Sequence, residues 1–87
     1  MANFKDEYET YTIYRQGNTY REYLCEIYGH DDVYDSFTRN ILDSSVCHFS
    51  LETAKVKLQL LRNYSKRSSF GIAKLTIRYE TEDVDIE

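Results

Sequence analysis

Strand-like patterns of hydrophobic and polar residues mark the first third of the chain. Residues 8–14 are rich in β-branched and aromatic side chains, and residues 19–28 continue in the same way. Between them lies a Gln-Gly-Asn sequence at 16–18, which is a turn signal because Gly and Asn both tolerate a positive φ. We therefore predict an antiparallel β-hairpin over residues 8–28.

A clean alternation of apolar and polar side chains also occurs near the C-terminus. Its apolar members are Ala73, Leu75, Ile77 and Tyr79. This period of two predicts a strand over residues 71–80. The acidic residues 81–87 follow as a tail, which we expect to fray.

The segment after the hairpin shows a period of four instead. Apolar residues recur at 33, 37 and 41, and the aspartates just before them can cap the first turn of a helix. We therefore predict a short helix over residues 33–42.

The pattern from Ser50 to residue 65 fits two interpretations. A helical stripe is formed by Leu51, Ala54, Leu58 and Leu61. A strand-like alternation is formed by Val56, Leu58 and Leu60. The capping residue Ser50, the length of the segment and its good helix formers favour a helix over residues 51–65.

Together these elements predict an α+β fold in a single domain, residues 1–87. A small antiparallel sheet, made of the N-terminal hairpin and the C-terminal strand, packs against one or two helices. The predicted order is β-β-α-(β)-α-β, in which the bracketed strand is the short apolar run 46–49. The chain has no proline and three glycines, so no segment has the composition of a linker.

Charge is sorted along the chain. Residues 55–78 carry seven cations and no acid, whereas residues 1–54 carry ten acids and four cations. Residues 79–87 carry five acids and no cation, and the net charge is −4. A basic segment therefore lies between two acidic ones, which bears on binding partners rather than on the fold.

The basic segment is a candidate nucleic-acid surface, because three predicted elements bring cations that can meet phosphates. Its candidate residues are Lys55, Arg62, Lys66, Arg67, Lys74 and Arg78. The alternative is that the strand cations pair inside the domain with Glu22 and Glu26 across the sheet. The negative net charge favours this second interpretation.

Catalytic motifs are absent from the sequence, which has no glycine-rich phosphate loop, Gly-x-Ser-x-Gly elbow or Cys-x-x-Cys pair. The densest titratable group is His30 with an acidic patch of three aspartates, Asp31, Asp32 and Asp35. A divalent-cation site with His30 as base is one interpretation, and a capped, solvated helix start is the simpler one. We therefore predict no enzyme activity and no cofactor.

Four residues are of the types that bind zinc: Cys25, His30, Cys47 and His48. Their spacing fits no zinc-binding pattern, and adjacent residues point in opposite directions in a strand. We therefore predict no bound metal. In a reducing compartment both cysteines are expected to be free thiols.

The cellular location follows from two further observations. No run of about 18 apolar residues is present to span a bilayer. The N-terminal residues lack the cations and apolar core of a signal peptide. We therefore expect a cytoplasmic protein with no membrane partner.

A helix over residues 51–65 would carry a second apolar stripe, Val56, Leu60 and Tyr64, on the side away from the first. A helix that is apolar on opposite faces is either sandwiched or binds a partner. The stripe therefore predicts a protein partner, either another protein or a second copy of the chain.

The whole chain resembles the small, acidic, proline-poor accessory proteins encoded by bacteriophages, many of which bind and inhibit a host enzyme. The resemblance rests on size and composition, and it carries over no site residue. It implies a non-enzymatic protein that binds a partner's surface. Separately, a small domain with nine tyrosines is suited to covering a partner's surface. The clustered acids suggest a related mode, in which they mimic phosphate charge toward a nucleic-acid-binding partner. A nucleic-acid-binding domain is the alternative function.

Overall fold

The computed structural model describes residues 3–28, 33–66 and 68–86. Its strands are β1 (Asn3–Gln16), β2 (Arg21–Tyr28), β3 (Val33–Thr38) and β4 (Ser69–Glu82), and its helix is α1 (Leu51–Tyr64). The strands form one antiparallel sheet in the order β3-β2-β1-β4. The fold is α+β, as predicted, with the element order β-β-β-α-β over the described residues.

The predicted hairpin is confirmed. Tyr14 to Gln16 pair with Arg21 to Tyr23, and the Gly17 amide donates to the Tyr20 carbonyl at 2.8 Å to close the turn. β1 begins five residues earlier than the pattern predicts, because all 14 of its residues pair with β4. β4 is likewise longer than the predicted strand 71–80.

The predicted helix over residues 33–42 is wrong. Residues 33–38 form β3, which pairs with β2 so that Phe37 lies opposite Leu24. This segment is rich in β-branched and aromatic residues, and the edge of β2 supplies hydrogen bonds that its backbone needs. The capping role predicted for Asp31 or Asp32 lies outside the described residues.

The apolar run 46–49 fills a gap in the sheet. β1 and β2 pair only near their turn, and beyond it this run bridges to both strands. The Cys47 amide donates to the Leu24 carbonyl at 2.9 Å, and Tyr11 and Phe49 exchange two backbone hydrogen bonds at 2.7 and 3.0 Å. The run therefore makes two isolated bridges rather than the continuous strand that the pattern suggested.

The helix predicted over residues 51–65 is confirmed as α1, and the strand interpretation is wrong. The Ser50 hydroxyl accepts from the Thr53 amide at 3.2 Å and satisfies one of the free amides of the first turn. Glu52 in the first turn and Arg62 in the last turn both suit the helix dipole. Leu51, predicted to face the core, is partly exposed.

The hydrophobic core lies between α1 and one face of the sheet. Its buried residues are Ile13, Leu24, Leu61 and Phe70, with Phe37, Cys47, Phe49 and Leu58 packed around them. Phe37 and Phe70 stack with ring centroids 5.8 Å apart, which joins β3 to β4 across the intervening strands. The core thus includes a residue from every element of the described chain.

The distal halves of β1 and β4 form a two-stranded ribbon that extends beyond the core, and the molecule measures 58 × 29 × 28 Å. One face of the ribbon carries three ion pairs, Lys5–Glu80, Glu7–Arg78 and Glu9–Lys74. The other face carries Ile77 and two tyrosines, with Asp6 opposite Tyr79 in the register. Tyr8 and Tyr79 stack there at 6.4 Å and are exposed by 44% and 59%.

Candidate protein-binding surface

The outer face of α1 carries three large apolar side chains that solvent reaches. Val56, Leu60 and Tyr64 are exposed by 63%, 50% and 91%. They recur at steps of four residues, so they form one stripe about 12 Å long on the helix surface. The three residues that the sequence pattern selected therefore lie side by side at the surface.

The inner face of the same helix explains why the stripe points outward. Ala54 and Leu61 are buried and Leu58 packs on the core, so this face lies against the sheet. α1 contacts β1 and β4 on that side. The sheet covers one apolar face of the helix and leaves the other in solvent, which is unusual for an isolated small domain.

Polar side chains border the stripe. Lys55, Gln59 and Asn63 are exposed on the flank of the helix. The Gln59 side-chain amide donates to the Asn63 side-chain oxygen at 3.1 Å, which holds two of them in place. An apolar centre with a polar border is the usual composition of a protein–protein interface.

The cations of β4 are paired with acids of β1. The Lys74 ammonium lies 3.1 Å from the Glu9 carboxylate, and the Arg78 guanidinium donates to Glu7 at 2.9 Å. Pairing across the sheet with Glu22 and Glu26 was the expectation, and these partners are wrong for Lys74 and Arg78, because β4 lies beside β1 whereas both glutamates are in β2. Glu22 instead accepts from Arg15 at 3.2 Å.

The other candidate cations lie on or near α1. Lys55, Arg62 and Lys66 are exposed, and Arg62 also donates to the Phe70 carbonyl at 3.3 Å. Arg67 lies outside the described residues. The helix packs on the same side of the sheet as Lys74 and Arg78, so the described cations share one side of the molecule with the glutamates of β1.

The acidic patch cannot be assembled from the described residues. Asp31 and Asp32 lie outside them, and Asp35 is placed only as a backbone position in β3 opposite Glu26. The clustered charge of this patch stays a prediction from the sequence.

Three of the four residues considered for zinc are described. Cys25 is buried and Cys47 is half-buried, and both are free thiols, whereas His48 is exposed. Burial, and secondarily the charge of Glu26, raise the pKa of the Cys47 thiol, so this cysteine stays protonated and weakly nucleophilic at neutral pH. His30 lies outside the described residues, and within them no three potential ligands cluster as a metal site.

An apolar groove that the sequence did not predict runs along β4. Its volume is about 540 Å³. Its apolar lining consists of Ile41, Leu42, Val46, Leu75, Ile77 and Tyr79. The alternation in β4 predicts the apolar residues of one wall. The residues of the other wall could not be predicted, because the sequence pattern places Ile41 in a helix.

Within the described chain, no helix has the length and apolar character needed to cross a bilayer. Comparison with known proteins finds no matching family model, no matching characterised protein and no matching solved structure.

Proposed function

We propose that this chain is a non-enzymatic protein-binding module and that the outer face of α1 is its binding surface. The observation that carries the proposal is the exposed stripe of Val56, Leu60 and Tyr64 on a helix whose other face is already packed. Exposed apolar side chains in a continuous row are stabilised when a partner removes them from water.

The spacing of the stripe suggests the form of the partner. Anchors at i, i+4 and i+8 fit an apolar groove that receives one helix face. Tyr64 adds a hydroxyl that can hydrogen-bond at the border of the groove. Lys55 beside the stripe favours a groove with an acidic rim.

The biological role that fits such a module is occlusion of a partner's surface in the cytoplasm. Resemblance in size and composition to phage accessory proteins supports an inhibitor of a host enzyme.

A second mode within the same proposal is mimicry of nucleic-acid charge by Asp31, Asp32 and Asp35. The two free thiols suit a reducing compartment.

The test compares Leu60→Glu with Gln59→Glu in capture of partners from a lysate of the native cell. Both variants add one negative charge at neighbouring exposed helix positions, but only the first interrupts the stripe. We expect Leu60→Glu to lose the captured protein by at least about tenfold while Gln59→Glu retains it.

Circular dichroism must show equal helix content and thermal stability in the two variants. If Leu60→Glu captures the same protein as the unmodified chain, the outer face of α1 is not the binding surface. If Leu60→Glu unfolds, the outer face is part of the core, and the proposal fails as well.

A further inference from the structure

β4 is an edge strand with an open side. It pairs with β1 along one side, and in the described part of the chain no strand pairs with the other. Its length of 14 residues is well above that of an ordinary strand. Such an edge presents unpaired backbone donors and acceptors, which favours pairing with another strand.

We propose that two copies of this chain associate through their β4 strands, paired antiparallel about a two-fold axis at Ile77. Residues 72–82 of one copy then lie beside the same residues of the other, and the two sheets become continuous. This interface uses β4 rather than α1, so it stands independently of the surface proposed above.

The side chains of β4 complement themselves in this register. Ile77 faces Ile77 of the second copy, Leu75 faces its Tyr79, and Lys74 faces its Glu80. Because the pairs are symmetric, each contact between unlike residues occurs twice. Cross-strand apolar pairs and opposite charges both stabilise antiparallel pairing.

Neighbouring registers are less favourable. Centring the axis on Arg78 brings two guanidinium groups together, and centring it on Thr76 places Lys74 opposite Arg78. Centring it on Leu75 sets Glu80 against Phe70, which belongs to the core. A register centred on Tyr79 leaves only residues 76–82 paired. The register at Ile77 alone among these combines long pairing with matched charges.

The ion pairs of the ribbon extend across this interface. In one copy Lys74 lies 3.1 Å from Glu9, and Glu80 lies 3.7 Å from Lys5. Bringing Lys74 beside the second copy's Glu80 joins these pairs into one row. The row runs from Glu9 and Lys74 of one copy to Glu80 and Lys5 of the other, and it occurs once on each side of the axis. Consecutive charges in that row are therefore of opposite sign.

The same register gives the acidic tail a basic surface to contact. Residues 83–85 of one copy run beside residues 69–71 of the other. Arg62 reaches that end of β4 through its hydrogen bond to the Phe70 carbonyl, and Lys66 is exposed nearby in the chain. Among the described residues, the acids Glu82, Asp83 and Asp85 make no ion pair within one copy. The acidic tail of one copy therefore lies beside the basic segment of the other, so the separation of charges along the sequence makes the two copies complementary.

Charge reversal tests the contact between Lys74 and Glu80. Lys74→Glu and Glu80→Lys are prepared separately, and sedimentation equilibrium is measured for each, for the unmodified chain and for an equimolar mixture. The unmodified chain is expected to dimerise. Each variant alone places like charges across the axis and should dimerise at least about tenfold more weakly.

The mixture is expected to recover the dimer, because one copy then supplies acids at positions 74 and 80 and the other supplies cations. Recovery cannot arise within one chain, since these positions are six residues apart along an extended strand, about 20 Å. The second measurement uses the Ile77→Cys variant under mild oxidation. We expect a disulfide between the introduced cysteines of two copies, and peptide mapping identifies it.

Three results would overturn the proposal. The first is an unmodified chain that stays monomeric up to about 1 mM. The second is a mixture of the two variants that associates no better than either alone. The third is a dimer that Leu60→Glu dissociates while Glu80→Lys leaves it intact, which would place the contact between copies on α1.

Discussion

Thr10 and Thr12 lie on the same face of β1, yet their hydroxyl groups have different surroundings. The Thr10 hydroxyl donates to the Phe49 carbonyl at 3.1 Å. Thr12 is fully buried, and among the described residues its hydroxyl oxygen has no hydrogen-bond partner. A buried polar group without a partner loses its hydration on folding and gains nothing in exchange.

We therefore predict that Thr12→Val raises the free energy of unfolding by about 1 kcal/mol, because a methyl group replaces the unpaired hydroxyl in nearly the same volume. Urea unfolding measures this as a higher midpoint with an unchanged slope. Thr10→Val is the matched control and should lower stability by about 1 kcal/mol, since it removes a satisfied hydrogen bond. A less stable Thr12→Val variant would contradict the prediction.

At the scale of elements, local signals were decisive where a cap or a turn agreed with the composition of the segment. α1 has the capping residue Ser50 and many helix formers, and the first hairpin has Gly17 at its turn. Before β3 the aspartates and the apolar spacing favoured a helix, but the segment itself is rich in β-branched and aromatic residues. Pairing with β2 decided the outcome there, because it stacks Phe37 on Phe70 in the core.

The contribution of the helix cap can be measured directly. Ser50→Ala removes the acceptor for the Thr53 amide and should lower the free energy of unfolding by about 1 kcal/mol. Ser50→Asp keeps an acceptor at the cap and adds a favourable charge at the positive end of the helix dipole, so it should retain the stability. Equal stability of the alanine and aspartate variants in urea would show that the cap contributes nothing.

At the scale of the whole molecule, opposite charges are interleaved on one side of the sheet. Exposed ion pairs such as Glu7–Arg78 and Glu9–Lys74 stabilise the fold little, by about 0–1 kcal/mol each. Their larger effect is on partners, because a phosphate that approaches either cation also meets a glutamate.

We therefore predict no affinity for random-sequence DNA or RNA tighter than about 10⁻⁴ M at physiological salt. Fluorescence anisotropy at two salt concentrations measures this, with Lys55→Glu/Lys66→Glu as the variant that removes two exposed cations. Micromolar binding that weakens steeply with salt and disappears in that variant would make the nucleic-acid function the better proposal.

The sequence alone determined the local features of this protein. They are the strand alternation at both ends, the first turn, the capped helix and the two apolar stripes of that helix. Each depends on residues within one or two turns or strands, so their energies are set by near neighbours. The stripe Val56, Leu60 and Tyr64 belongs to this class.

Tertiary structure alone decided what each face contacts. It made residues 33–38 a strand, placed β4 beside β1 and so paired Lys74 and Arg78 with Glu9 and Glu7, and built the groove beneath Ile41. These outcomes depend on residues distant in the chain, whose contacts are selected by the burial of the whole core rather than by local pattern. The open edge of β4 is of the same kind, because a strand is an edge only once the order of the sheet is set.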